Sequence, residues 1–185
     1  MKQLTRADLE QLLTRIAEDY HLLTPQRLAD GSRLLRPWSE GELSLSGEPV
    51  QRKPTEYFLP QHDPLVTIDQ AGNVKPSKRT GNPLCLFGLN RADLQCLNFV
   101  DRFCAAPPQD DAYFDRRSNT LLIGLTGYSG PDHQLLPIAE ELCDIELVAT
   151  KKGWLACAFS EQAEAFLEPF ILAEPHALEN IAKLS

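Results

Sequence analysis

Residues Leu84 to Cys104 read LCLFGLNRADLQCLNFVDRFC, and this stretch decides the fold. It opens with a short apolar run typical of a buried strand, and a helical pattern begins directly after Asn90. Asn90 is a good N-cap, and Asp93 lies where a carboxylate meets the exposed amides and positive dipole end of a helix. The stretch therefore predicts a strand over Leu84–Leu89 and a helix over Asn90–Cys104.

The predicted helix also has a face that we expect to be buried. Helical spacing places five residues in one stripe: Cys96, Leu97, Val100, Phe103 and Cys104. The same pattern leaves Arg91 to face solvent or a partner.

Similar local patterns occur on both sides of this stretch. Thr5 can cap a first helix that ends near Asp19, with Asp8 completing a capping box. Later in the chain, NTLLIGLT, DIELVAT and GWLACAF predict strands, and Ser160 is placed to cap a further helix.

Other segments of the chain have less regular hydrophobic patterns. Short strands are expected between Tyr20 and Gly47, and Leu65–Ile68 predicts a strand that closes in a hairpin-type turn. VKPSKRTGNP is expected to be an exposed loop, AAPPQDDAYFDRRS a connecting segment, and Leu135–Leu142 a short helix.

The order strand, helix, strand implies parallel pairing with right-handed crossovers. We therefore predict an α/β fold with a mixed, partly parallel sheet, flanking helices and an irregular, β-rich N-terminal part. The chain is expected to form one domain, in which residues 1–80 hold a helix and short strands. Residues 81–172 form the α/β part, and residues 173–185 a tail.

Charge and hydropathy exclude several function classes. The formal net charge is −8, which argues against nucleic acid or an anionic membrane as the main partner. The polar N-terminus MKQLTRADLEQLL lacks the apolar core of a signal peptide, and no apolar run is long enough to span a bilayer. We therefore expect a cytoplasmic protein.

The five cysteines include no Cys-x-x-Cys spacing. Most are expected to be buried thiols, because free cysteine packs as a small hydrophobe. Cys96 and Cys104 would lie about 80° apart around the helix and about 12 Å apart along it, so they cannot both ligate one iron-sulfur cluster. No metal and no cofactor is predicted.

Three stretches nevertheless resemble a known family. KPTEYFLPQ, LFGLNRADLQCLNFVDRF and DAYFDRRSNTLLIGLTG, in this order, look like the N-terminal domain of the iron-sulfur electron-transfer subunits of hydrogenases and anaerobic sulfite reductases. The sulfhydrogenase β chain is one member of this family. The similarity covers roughly residues 53–159.

The departures from that family are the informative part. The resemblance implies a cysteine just before the aspartate of the strand–helix turn, where this chain has Ala92. It also implies cysteines after the second apolar strand and a ferredoxin-like domain with Cys-x-x-Cys motifs, and neither occurs here. We therefore expect a cluster-free relative that acts as a binding or accessory protein. Its expected partner is a redox protein or a ferredoxin-like subunit.

Two alternatives stay open. One is a small redox protein that binds an iron-sulfur centre with a partner chain through Cys85, Cys96 or Cys104. The other is an enzyme that binds a small anionic ligand at the Gly127 loop, where glycines follow a strand. Because parallel strands end at one edge of a sheet, the expected ligand-binding residues there are Arg91, Asp93, Gly127 and Tyr128.

Overall fold

The structure is a computed structural model that describes residues 1–46, 48–62, 66–76, 83–128 and 142–173. Its strands are β1 (Lys2–Leu4), β2 (His21–Arg27), β3 (Arg33–Pro37), β4 (Val66–Ile68), β5 (Val74–Pro76), β6 (Leu84–Leu89), β7 (Thr120–Thr126), β8 (Ile145–Thr150) and β9 (Gly153–Ala158). Its helices are α1 (Arg6–Asp19), α2 (Arg91–Cys104), α3 (Asp111–Arg117) and α4 (Glu161–Leu167), with 3-10 turns at Trp38–Glu40 and Pro54–Tyr57.

Seven strands form one mixed sheet in the order β1-β9-β8-β7-β6-β2-β3. The central strands β2, β6, β7 and β8 are parallel, and antiparallel strands complete both edges. The predicted α/β class with a partly parallel sheet is therefore confirmed. Strands from the N-terminal part, β1 and β2, pair with β9 and β6, so both predicted parts of the chain contribute to one sheet.

One face of the sheet is covered by α1 and α4. Leu9, Leu12, Leu13 and Ile16 of α1 are fully buried against Cys85, Phe87 and Ile123 of the central strands. The predicted start of α1 is confirmed, because the Thr5 hydroxyl accepts from Asp8 N (3.2 Å) and Asp8 Oδ2 accepts from Thr5 N (2.8 Å).

The other face is covered by α2, α3 and the segment around Pro54–Tyr57. Its core contains Phe58, Leu86, Leu94, Leu97 and Tyr113. The predicted strand Leu84–Leu89 and the helix capped by Asn90 are confirmed. Since the parallel strands are apolar on both faces, the sheet needs both of these helical layers.

The predicted buried stripe of α2 is wrong in part. Leu97 and Cys104 are buried, but the side chain of Phe103 is 74% exposed, and Cys96 and Val100 are only half-buried. The buried side of α2 is instead formed by Asp93, Leu94, Leu97 and Cys104. The prediction failed because the apolar residues of α2 cover a wider arc of the helix than the sheet can bury.

Two segments predicted to be irregular contain regular structure. The expected loop that starts at Val74 begins with β5, which pairs with β4 in a two-stranded hairpin. The expected connecting segment contains α3, which Asp110 caps by accepting from Tyr113 N (2.9 Å). Leu65, the helix predicted at 135–142 apart from its last residue, and residues 174–185 lie outside the described residues.

In the described ranges, every helix is too short or too polar to cross a bilayer.

We predict that Thr5→Ala lowers the free energy of unfolding by about 1 kcal/mol, because it removes the cap of α1. The backbone and side-chain hydrogen bonds from Thr5 lower the pKa of Asp8. A lowered carboxyl pKa contributes stability that is present above the unfolded pKa and lost as the pH falls through the folded pKa. The stability difference should therefore become smaller in acid without vanishing, because the variant loses the hydroxyl bond to the Asp8 carboxylate but keeps the backbone one. Urea unfolding at neutral and acidic pH measures this, and Thr14→Ala inside the helix is the matched control, for which we expect little change.

Candidate functional site

The four residues expected to bind a ligand follow the ends of two adjacent parallel strands. Arg91 and Asp93 lie in the first turn of α2, directly after β6, and Gly127 and Tyr128 follow β7. β6 and β7 pair in parallel up to Leu89 and Gly124, so these ends share one edge of the sheet as predicted.

Asp93 is a buried carboxylate, with a relative exposure of 1%. Its backbone amide donates to the Asn90 side chain (2.9 Å), and its Oδ1 accepts from Lys53 Nζ (2.8 Å). The negative charge lies at the positive end of the α2 dipole and is neutralised by an ammonium group from the segment before the 3-10 turn. Asp93 therefore connects α2 to that segment.

A buried arginine lies close to the same strand end. Arg33 of β3 is only 4% exposed, and its guanidinium donates to the carbonyls of Ser44 (3.1 Å) and Glu48. A methyl group added at Gly88 would lie 4.0 Å from its Nη2. Burial lowers the pKa of Arg33, and the charges of Glu48 and Asp93 act against that shift.

The Nε of Arg33 has no hydrogen-bond partner within the described part of the chain. Its other guanidinium nitrogens hold the loop around Ser44 and Glu48. Lys53 joins its own segment to the helix start through Asp93, and the nearby Arg33 holds this loop. Neither cation could be predicted at this place from the sequence, because Arg33 and Lys53 are distant from Asp93 in the chain.

Tyr128 points to the opposite side of the sheet. Its ring packs against the core covered by α1 and α4, and its hydroxyl accepts from Trp154 Nε1 (3.0 Å). Burial raises the pKa of Tyr128. Because α2 covers the other face, the structure does not bring the side chains of Asp93 and Tyr128 to one surface.

Gly127 has a packing reason to be glycine. Its φ is +81°, and an added Cβ would lie 2.9 Å from Ala149 O and 3.0 Å from Ala149 N. The backbone after β7 thus lies directly against the end of β8, which accounts for the glycine without a ligand.

The thiols do not converge as iron-sulfur ligands would, since a cluster needs about four thiolates around it. Cys85 belongs to the core under α1, whereas Cys104 and Cys143 belong to the core under α2. Burial raises the pKa of Cys85 well above its usual value and raises that of Cys143 to about 12, so both remain thiols at neutral pH. Cys96 is half-buried on α2. The cysteines that the structure describes do not fit a cluster.

No group of three or more His, Cys, Asp or Glu side chains arranged to hold a metal ion occurs in the described ranges. A polar cleft of about 660 Å³ lies at the opposite end of the parallel strands, lined in part by Arg117, Asp144, Ser160 and Glu164. Two of these side chains have internal partners: Asp144 accepts from Leu122 N (2.8 Å), and Arg117 pairs with Asp101 (3.1 Å).

Comparison with known proteins found no matching family model, no matching curated protein and no matching solved structure.

We expect Lys53→Met to lower the free energy of unfolding by about 2 kcal/mol, because it removes the cation that compensates the charge of the buried Asp93 carboxylate. Lys53→Met and Asp93→Asn together should cost less than the sum of the two, with a coupling of about 1–2 kcal/mol in a double-mutant cycle. Arg52→Met is the matched control, since Arg52 is exposed and its nearest carboxylate oxygen, on Glu56, lies 3.9 Å away. Additive effects in the cycle would contradict the assigned pair.

We expect Gly127→Ala to cost about 1–3 kcal/mol more than Gly31→Ala, measured by chemical unfolding. Gly31 has nearly the same φ, +84°, but nothing lies within 4 Å of an added Cβ. Both variants bear the backbone strain, and only Gly127→Ala adds the contact with Ala149. Equal costs would show that the close approach at Gly127 is unimportant for stability.

Proposed function

We propose that this protein is a cluster-free relative of the iron-sulfur electron-transfer subunits of hydrogenases and anaerobic sulfite reductases. In this proposal it acts as a binding or accessory protein in the cytoplasm and not as an electron carrier. Its expected partner is a redox protein or a ferredoxin-like subunit that carries its own cluster.

The observation that carries this proposal is the distribution of the thiols. A parallel sheet separates Cys85 from Cys104 and Cys143, and burial keeps the pKa values of all three thiols raised. Bringing them together around iron would require the sheet to open. With Ala92 before Asp93, the turn after β6 supplies no sulfur donor.

The segment that resembles the family supports the binding role. It contains the strands β6 to β9 and the helix α2, and its first motif supplies Lys53, the partner of Asp93. The resemblance thus falls on residues that build the framework, while the expected ligand positions hold other residues. A framework kept without its ligands suits a protein that binds a partner.

The test is purification without oxygen from cells supplied with iron, followed by a visible spectrum and an iron assay. We expect a colourless protein with far less than one iron per chain. A brown protein with stoichiometric iron would overturn the proposal.

Thiol reactivity gives a second measurement on the same sample. We expect Cys96, which is half-buried, to react with Ellman's reagent in the native protein. Cys157, also half-buried, should react more slowly, because burial raises its pKa. The buried Cys85, Cys104 and Cys143 should react only after denaturation. Cys96→Ser and Cys157→Ser assign the native reaction to these positions.

A further inference from the structure

The polar cleft of about 660 Å³ lies at the end of the sheet where the parallel strands begin. It is lined by residues from the start of β8 and the end of β9, by Arg117 of α3 and by the first turns of α4. Its volume falls within the range of roughly 300–1,000 Å³ that is usual for small-molecule sites. The charged residues around Asp93 lie at the opposite end of the strands, so this cleft is a separate place in the fold.

Asp144 is a fixed carboxylate in the lining of this cleft. Its N–H donates to Leu122 O (2.9 Å), and its Oδ2 accepts from Leu122 N (2.8 Å), so β7 holds both its backbone and its side chain. Its carbonyl accepts from Phe159 N (2.8 Å). Within the described residues, its second carboxylate oxygen, Oδ1, has no hydrogen-bond partner. Asp144 can therefore accept from a ligand without losing a bond of the fold.

Arg117 is a fixed guanidinium in the same lining. Its Nε donates to the two carboxylate oxygens of Asp101 (3.1 and 3.3 Å), and Asp101 also accepts from the Tyr113 hydroxyl. The guanidinium carbon lies 5.8 Å from the centre of the Phe58 ring. The two terminal nitrogens have no hydrogen-bond partner in the part of the chain that the structure describes. Such N–H groups are the ones with which a guanidinium binds a carboxylate.

The two fixed charges line one cleft without pairing with each other. In the described structure the ion-pair partner of Arg117 is Asp101, and Asp144 lies in no ion pair. Unpaired charges of opposite sign that are already held in place fit a ligand that bears both a carboxylate and an ammonium group.

The rest of the lining favours a ligand with a second amine. Glu161 and Glu164 line the cleft from the exposed side of α4, so the lining holds one cation and three carboxylates. Phe159, which is 41% exposed, adds apolar surface against which methylene groups can pack.

The order of these charges follows from the sheet. Arg117 precedes β7, Asp144 precedes β8, and Glu161 follows β9. Because β8 lies between β7 and β9, Asp144 lies between the guanidinium and the carboxylates of α4. A basic α-amino acid carries its groups in the complementary order: carboxylate, α-amine and side-chain amine.

We propose that this cleft binds a basic α-amino acid, represented by lysine. The α-carboxylate binds Arg117, the α-ammonium group binds Asp144, and the side-chain amine lies at Glu161 and Glu164. The inference goes beyond the function proposed above and does not rest on it.

The test is isothermal titration calorimetry of the full chain with L-lysine at low ionic strength. We expect a Kd of about 0.1–1 mM, because a ligand with few atoms binds weakly in an open cleft. Cadaverine lacks the carboxylate and norleucine lacks the side-chain amine, so each should bind about tenfold more weakly than lysine. General attraction of cations to an acidic surface would instead favour cadaverine, which carries the higher positive charge.

Two variants test the carboxylates. Asp144→Asn removes the charge but keeps an oxygen that can accept from Leu122 N, and it should weaken lysine binding about tenfold. Glu161→Gln combined with Glu164→Gln should abolish the preference for lysine over norleucine. Glu168→Gln is the matched control, because Glu168 is exposed at the end of α4 and does not line the cleft. Circular dichroism melting checks that each variant folds.

Three results would overturn the proposed site: no binding of L-lysine up to about 10 mM, binding of cadaverine as tight as that of lysine, or unchanged lysine binding by a folded Asp144→Asn variant. If Asp144→Asn does not fold, the double variant decides, since both of its substitutions are on the exposed side of α4. A preference for lysine over norleucine that survives in it would then overturn the site. The iron content of the protein does not enter this test, so either proposal can fail without the other.

Discussion

A parallel sheet that is apolar on both faces must be covered on both faces, and this constraint organises the whole molecule. The strands β2, β6, β7 and β8 meet it with α1 and α4 on one face and α2 and α3 on the other. The same constraint separates the cysteines, because each buried thiol packs into one layer or the other. Cys85 belongs to the layer of α1, whereas Cys104 and Cys143 belong to the layer of α2.

Two buried charged side chains, those of Asp93 and Arg33, are compensated by groups from loops. The carboxylate of Asp93 is buried at the start of α2 because Lys53 reaches it from the segment that crosses the face of the sheet. Arg33 is buried because the loop around Ser44 supplies carbonyl acceptors. The strand ends that often bind ligands in α/β proteins are here occupied by the protein's own charges. Asp93 therefore lies at the sheet edge where ligands often bind, but its side chain stabilises the fold.

Much of the fold could be predicted from local patterns. The strand Leu84–Leu89, the Asn90 cap and the Thr5–Asp8 capping box each depend on residues a few positions apart, which sequence displays directly. The exposure of Phe103 could not be predicted, because an apolar residue at helical spacing looks the same whether the fold covers it or not. The partner of Asp93 was also missed, since Lys53 reaches it only through a tertiary contact.

The pairing of β1 with β9 has a consequence for how the chain is made. Residue Lys2 lies opposite Ala156, so β1 can pair in the sheet only after β9 has been synthesised. Local contacts such as the α1 capping box can form early, but the sheet gains its β1 edge only when β9 is available for pairing. Until then, the backbone groups of Lys2–Leu4 lack their partner strand in the sheet.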